Sequence, residues 1–367
     1  MIIKTLELQN FRNYRNMSVS FHEGINILYG DNAQGKTNIL ESLYVSGTSK
    51  SHKGSKDREM IHFDEEEAHI RTVVERRETD HRIDIHLKKS RSKGIAVDKI
   101  PIHRVSELFG LLYTIFFSPE DLNIIKEGPS ERRRFLDMEL GQMDRIYLNH
   151  LSKYQRALKQ RNQLLKDIYV RPDLEETLFA WDEQLVLFGT EIMKQRKCFI
   201  GELNEIISSV HSRISGGTEC LNLSYEPSCE ADQMKDELLR YRKKDIRTGM
   251  TSCGPHRDDI CFSVNDMDIR KYGSQGQQRT AALSLKLAEI ELVKKRIHDT
   301  PVLLLDDVLS ELDSKRQNYL LNSICDIQTI ITCTGLDEFV KNRFQIDQVF
   351  YVEKGTCIPV SDKENRF

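Results

Sequence analysis

Apolar and polar residues alternate over residues 3–8 and again over 17–21, and an unbroken apolar run, 25–29, leads straight into a glycine-containing loop. Period-two alternation predicts half-buried strands, whereas an unbroken apolar run predicts a strand covered on both faces. A helix is predicted from about Lys36 through Leu40 and Leu43. Residues 69–74 and 82–87 alternate on either side of a polar turn, Glu78-Thr79-Asp80, which predicts a hairpin. A further apolar run over 111–117 stops at Ser118-Pro119.

The middle third changes period. Tyr147, Leu151, Tyr154, Leu158 and Leu165 recur at helical spacing, and after Arg171-Pro172 so do Leu178, Trp181, Leu185, Phe188, Ile192, Phe199, Leu203 and Ile206. A seam of this heptad type predicts two long helices folded back on each other through a short proline-containing link. The second, ended by Gly216-Gly217, would be roughly 50 Å long at about 1.5 Å per residue. The outer face of the first is expected to carry Lys153, Arg156, Lys159 and Arg161. The last third returns to strands at 259–264, 302–305, 328–333 and, as an edge, 348–352, with a helix over about 277–297. An α/β layer is thus started, interrupted by helices and resumed: residues 1–125, 126–245 and 246–367 are the three expected pieces.

The chain has 367 residues, 39% hydrophobic and 30% charged, with a net charge of −3. No apolar stretch approaches the ~20 residues of a membrane span, and residues 1–5 alternate like a strand rather than following a signal-peptide plan, so a cytoplasmic location is expected. The eight cysteines lack paired C-x-x-C spacing and read as reduced structural thiols. Net charge hides four basic clusters that are candidates for phosphate contacts: Lys50, Lys53, Lys56 and Arg58; Lys88, Lys89, Arg91 and Lys93; Arg132 to Arg134; and Lys153, Arg156, Lys159 and Arg161.

Three motifs carry chemistry. Gly30, Asp31, Asn32, Ala33, Gln34, Gly35, Lys36 and Thr37 fit the phosphate-loop pattern, with a strand before and, after it, the helix that starts at about Lys36 and includes Asn38. The loop's N–H groups and the helix dipole suit a triphosphate, Lys36 its β and γ phosphates, and the Thr37 hydroxyl a Mg²⁺ ion. Asp306 closes an apolar strand, where a Mg²⁺-holding carboxylate belongs, and Asp307 is the candidate base or water-orienter. An ordinary turn after a strand would also use such residues. Ser274, Gly276 and Gln277 open a long helix and make either an N-cap or a second anion site. With one complete phosphate loop already present, a second such turn is expected to serve a neighbouring copy, Ser274 of each chain reaching the other's γ-phosphate.

These motifs together resemble the ABC-type ATPases of DNA repair and, within them, the RecF family, over essentially the whole length. Besides the three sites, the resemblance rests on Leu6-Glu7-Leu8-Gln9-Asn10-Phe11-Arg12-Asn13-Tyr14, Ser118-Pro119-Glu120-Asp121-Leu122, Arg132-Arg133-Arg134-Phe135-Leu136-Asp137, Gly254-Pro255-His256-Arg257-Asp258-Asp259 and the D-loop run from Asp306 to Asp313. It departs at Ala33, where many relatives have glycine, at the Asp-Asp rather than Asp-Glu pair, and at Thr332-Cys333-Thr334 in place of a switch histidine. Residues 118–122 stand where a Q-loop glutamine is not evident.

The resemblance implies a P-loop ATPase head with a mixed sheet and an inserted helical lobe. It places Arg12 near the nucleotide phosphates. It implies an ATP- and Mg²⁺-dependent homodimer that binds gapped DNA in the nucleoid, works with RecR and RecO to help RecA replace single-strand-binding protein, and hydrolyses ATP slowly under DNA stimulation to release DNA. An ATP-gated DNA scaffold with negligible hydrolysis, or an ATPase subunit of another complex, would fit the same motifs.

Overall fold

The computed structural model describes residues 1–335 and 346–360, apart from the side chain of Glu311, which belongs to the D-loop resemblance and lies outside the described residues. The chain forms two units, Met1–Asp121 with Glu289–Phe367, and Leu122–Ala288.

The first unit starts with β1 (Ile2–Phe11), β2 (Tyr14–Ser20), β3 (Ile25–Tyr29) and α1 (Lys36–Thr48). Then come β4 (Glu67–Arg76), β5 (Thr79–Lys88), β6 (Gly94–Val97), β7 (Ile100–Ile102) and β8 (Thr114–Phe117). An antiparallel sheet runs β2-β1-β4-β5-β6-β7. Its alternation follows the sequence: in β4 the even positions Ala68, Ile70, Thr72 and Val74 are buried. The β4–β5 turn falls one residue earlier than the polar triplet suggests. Arg77 and Glu78 both take positive φ, 50° and 62°, and such paired left-handed residues match the twist of a tight hairpin.

In the second unit, α2 (Leu122–Lys126), α3 (Pro129–Met143), α4 (Arg145–Val170) and α5 (Leu178–Ser215) lead to β9 (Leu221–Glu226), α6 (Met234–Thr248), β10 (Asp259–Val264), β11 (Met267–Asp268), α7 (Ile269–Tyr272) and the start of α8 (Gln275–Ile297), whose last turns, from Glu289, belong to the first unit. Back in the first unit, β12 (Val302–Asp306), α9 (Ser314–Ser323), β13 (Thr329–Cys333), β14 (Gln348–Glu353) and β15 (Thr356–Pro359) complete the chain. The second large sheet is β15-β14-β3-β13-β12-β8, parallel except for β15. β14 pairs on both sides and is therefore not the edge expected from its sequence; the edge is β15, whose terminal Pro359 suits a strand with one open side. Among the described residues, no helix is long and apolar enough to cross a membrane.

Helices α4 and α5 form the expected hairpin, and α5, at 38 residues, reaches about 57 Å at ~1.5 Å per residue. Their seam differs from the apolar reading. Asp182, Gly189 and Arg196 fill buried α5 positions seven residues apart, and Trp181, Phe188 and Ile206 are only half-buried. On α4, Arg161 is 0% exposed. Its Nε donates to Asp182 Oδ1 at 2.6 Å and its guanidinium also donates to Asp245 Oδ2 at 2.8 Å and Thr251 Oγ1 at 2.9 Å. The expectation that Arg161 lies on the outer basic face is therefore wrong. The seam repeats at 154, 157, 161 and 165, and its one long cation is buried because two carboxylates face it. Lys153, Arg156 and Lys159 are exposed.

Two further buried arginines tie the same unit. Arg132 pairs with Asp259 through both carboxylate oxygens, at 2.6 and 3.0 Å. Arg196 on α5 donates to Asp137 at 2.7 Å, to Tyr147 Oη at 3.1 Å and to the Pro255 carbonyl at 2.6 Å. The run from Gly254 to Asp259 is thus a structural knot. Burial pushes His256 down to about 4 and raises the Asp258 carboxyl, which accepts from the Tyr225 hydroxyl and the Ser228 N–H.

Removing one partner from a buried pair strands the other charge, at a cost of about 3–5 kcal/mol. Asp245→Ala or Arg161→Ala should lower the unfolding free energy of the chain by that amount in urea titrations. Arg156→Glu, on the exposed face, should change it by less than about 0.5 kcal/mol. Equal stabilities for the three variants would contradict the buried network.

Candidate nucleotide site

The parallel strands bring their carboxyl ends to one level. Tyr29 pairs with Cys333, Asp306 with Thr332, and Leu305 with Phe117. Crevices beyond the carboxyl ends of parallel strands are where open α/β sheets bind ligands. β3 runs into the phosphate loop there, β8 into Ser118, and β12 ends at Asp306.

The loop has two positions that exclude a side chain. At Gly30, with φ 148°, a Cβ would lie 2.3 Å from the Val352 carbonyl oxygen; at Gly35, with φ 115°, it would lie 2.5 Å from Asn13 Nδ2. Ala33, in contrast, takes φ 63° with a side chain present, a conformation that costs about 1–2 kcal/mol for an L-residue. The loop is braced by Asn13, which sequence reasoning missed. Its Nδ2 donates to the Gln34 carbonyl at 2.9 Å, and its Oδ1 accepts from Asn38 Nδ2 at 2.8 Å. The Gln34 side chain in turn accepts from the Lys354 N–H at 2.8 Å. The signal was available, since Asn13 sits in the opening motif beside Arg12.

Arg12 itself adopts φ 53° and its guanidinium grips both oxygens of Glu41 on α1 at 2.8 Å, while donating also to the Glu59 carbonyl and Ser55. Burial alone would raise the pKa of Glu41, but the bonds from Arg12 and Ser51 outweigh it and hold the carboxyl below its usual range.

Lys36 Nζ donates to the Gly30 and Asp31 carbonyls at 2.6 and 2.7 Å. Burial lowers its pKa, against the raising influence of Cys333, Asp307, Asp306 and Asp31. Thr37 Oγ1 and Thr332 Oγ1 both donate to Asp306 Oδ1, each at 2.8 Å, and the Asp307 N–H donates to Thr332 Oγ1 at 3.0 Å. Asp307 stands at φ 53°. Thr332 thus fixes both aspartates. A cavity of ≈430 Å³ opens here, lined by Asn32, Ala33, Gly35, Lys36, Thr37 and Asn38, by Asp306, Asp307 and Thr332, by Ser118, Pro119 and Glu120, and by His52 and Lys53. The segment suggested in place of a Q-loop therefore forms one wall, and His52, stacked on Phe116 at 3.8 Å, forms another that sequence reasoning missed. A hydroxyl and a carboxylate held 2.8 Å apart are hard oxygen donors of the kind Mg²⁺ takes while keeping several waters.

In the second unit, Ser274 and Gly276 are exposed at the start of α8. The Ser274 N–H donates to Gln277 Oε1 at 2.9 Å and the Gln277 N–H to Ser274 Oγ at 3.2 Å, a reciprocal capping box. The Gln277 side chain also donates to Glu219 at 2.9 Å.

Elsewhere, Glu67, His69 and His86 gather on one face of the β4–β5 hairpin. There His86 Nε2 meets one Glu67 oxygen at 2.6 Å and Lys88 the other at 3.4 Å, so both Glu67 oxygens are taken by cross-strand partners. Two of the four basic clusters are engaged internally: Arg132 with Asp259, and Lys88, Lys89 and Lys93 with Glu67, Glu66 and Asp57. None of the eight cysteines is in a disulfide.

The chain matches the RecF/RecN/SMC N terminal domain family over residues 2–357. It is 65% identical to the DNA replication and repair protein RecF of Agathobacter rectalis, over 97% of this chain and 98% of that one. It is 44% identical to the RecF of Clostridium tetani, over 98% and 100%. Its fold superposes on a solved structure of the recombination mediator protein RecF with ATP, in the RecFOR pathway, with a TM-score of 0.91 at 35% identity, covering 98% of each chain. An Smc head bound to the C-winged helix domain of ScpA, 17% identical with a TM-score of 0.57 and full coverage of both chains, shares the fold. On the strength of the family match and these identities along nearly its whole length, the chain belongs to the RecF family of SMC-like, ABC-type ATPases.

Proposed function

We propose that this chain is an ATP-dependent, DNA-binding recombination mediator whose nucleotide site is completed only when two copies meet head to tail. The observation that carries the reading is the convergence of Lys36, Thr37, Asp306, Asp307 and Thr332 on one cavity while Ser274 is presented, capped and exposed, by the other unit. The loop from Gly30 to Thr37, with Asn38, receives the phosphates on backbone N–H groups, and Lys36 exchanges its two carbonyl partners for β- and γ-phosphate oxygens. Arg12 approaches the phosphates only by leaving Glu41. Thr37 and Asp306 would hold Mg²⁺, which when bound would supply charge neutralisation on the phosphates. Asp307, its backbone pinned by Thr332, orients and deprotonates the attacking water. Ser274, with the Gly276 and Gln277 amides at its helix terminus, contacts the γ-phosphate on the partner copy, so bound ATP closes the dimer and hydrolysis opens it.

Division of labour follows the two units: Met1–Asp121 and Glu289–Phe367 supply the ATPase lobe, and Leu122–Ala288 carries the helical arm together with the Ser274 turn, so the boundaries expected at 125/126 and 245/246 give way to 121/122 and 288/289. DNA lies across the paired surface, held through phosphates by Lys153, Arg156 and Lys159 rather than by base edges. Gapped DNA so marked is the platform on which RecR and RecO help load RecA. Turnover is slow, as suits a switch, and is stimulated by DNA; the protein works at the nucleoid, in the cytoplasm.

Sedimentation with ATP and Mg²⁺ should show a dimer that Ser274→Arg abolishes while ATP binding by the monomer survives; a normal dimer in that variant would remove the shared site. Asp307→Asn should bind ATP and dimerise while losing about 10²–10⁴-fold in turnover; unchanged turnover would leave Asp307 without a role as base, and a wild type without turnover would favour the ATP-gated scaffold. Reversing charge at Arg156 and Lys159 should reduce the slope of log affinity for gapped DNA against log salt by about 2, close to one counterion per lost phosphate contact. An unchanged slope would move the DNA surface off α4.

A further inference from the structure

An N-terminal cap needs only the serine and the backbone of its first turn, but the turn at Ser274 is held by more. Gln277 uses its carbonyl oxygen on the Ser274 N–H and its amide N–H on Glu219 Oε1. The other Glu219 oxygen meets His211 Nε2 at 3.3 Å, and His211 Nδ1 meets Ser284 Oγ at 2.9 Å. His211 lies near the end of the long helix α5 and is fully buried. Ser284 lies on α8, two turns beyond Gln277. One residue of α5 therefore holds the start of α8 at two points, directly through Ser284 and through Glu219.

This chain has a direction. A carboxylate accepts only, so it requires the NH₂ end of the Gln277 amide on its own side, and that leaves the carbonyl end facing Ser274. Beside this side-chain link, the backbone N–H of Gln277 donates to Ser274 Oγ, and the serine proton remains to donate to an anionic oxygen outside the turn.

We propose that Glu219 is a positioning residue for Ser274. It sets the Gln277 side chain, and through it the turn that meets the partner copy's γ-phosphate; buried His211 sets Glu219 in turn, so that a shift of α5 along its length reaches the Ser274 turn. This rests on the shared-site reading above. Neither Glu219 nor His211 belongs to the phosphate loop or the aspartate strand.

The test compares Glu219→Ala, Glu219→Gln, Gln277→Ala and the double alanine variant, by sedimentation with ATP and Mg²⁺ and by ATP affinity and thermal midpoint of the monomer. Glu219→Ala should weaken ATP-dependent dimerisation roughly tenfold or more, the usual effect of losing a hydrogen bond to a charged group, with monomer ATP affinity unchanged. Glu219→Gln, which keeps an acceptor for Gln277, should recover most of the loss, and the double variant should be no worse than Gln277→Ala. Normal dimerisation of Glu219→Ala, additive losses in the double variant, or an equal loss of monomer ATP affinity would each overturn the positioning role. A wild type that stays monomeric with ATP removes the shared site itself, whereas a wild-type dimer that ignores Glu219→Ala removes only this proposal.

Discussion

One carboxylate oxygen does most to define the nucleotide site. Asp306 Oδ1 accepts from Thr37 at the start of α1 and from Thr332 at the end of β13, and Thr332 also takes the Asp307 N–H. Three chain segments that are far apart in sequence are thereby referred to a single atom. A hydrogen bond to a charged acceptor is stronger than one between neutral groups, and here two such bonds fix the distance between the lysine-bearing loop and the aspartate pair. The positive φ of Asp307 is held in place by that frame. Strained backbone of this kind persists only where its surroundings over-determine it.

The second unit follows another rule. Its seam is apolar in pattern, yet Arg161, Asp182 and Arg196 sit in it, each meeting opposite charge or a carbonyl. Such interiors are not the most stable available; well-packed apolar residues of similar volume often do as well or better. What the charges add is register. A carboxylate on α5 facing a guanidinium on α4 penalises any slip of one helix along the other, since a shift by one turn leaves a charge buried alone.

Much of this was legible beforehand. Phosphate loop, aspartate strand, helical hairpin and the resumed α/β layer all follow from period and motif, because each is written in contiguous residues. What was not legible depends on residues meeting across the fold. Arg161 reads as surface because nothing local announces Asp182 and Asp245. Asn13 and Thr332 look like ordinary polar residues until the strands that carry them are placed side by side. β14 reads as an edge strand because the hairpin mate that covers it is short and ends in proline. Arg12, expected near phosphate from its motif, is found on Glu41, a partner within α1 that pattern alone does not single out.

The sheet order has a consequence for how the chain is made. β3, which bears the phosphate loop, pairs with β13 and β14 and with no strand nearer in sequence. On a ribosome adding roughly 5–20 residues per second, it waits for about 300 further residues before either neighbour exists. For tens of seconds, an apolar strand with both edges open depends on other protection, while the whole of the second unit is being synthesised. A product cut short before β13 would keep the complete phosphate-loop motif and still lack the strands that give the loop its shape.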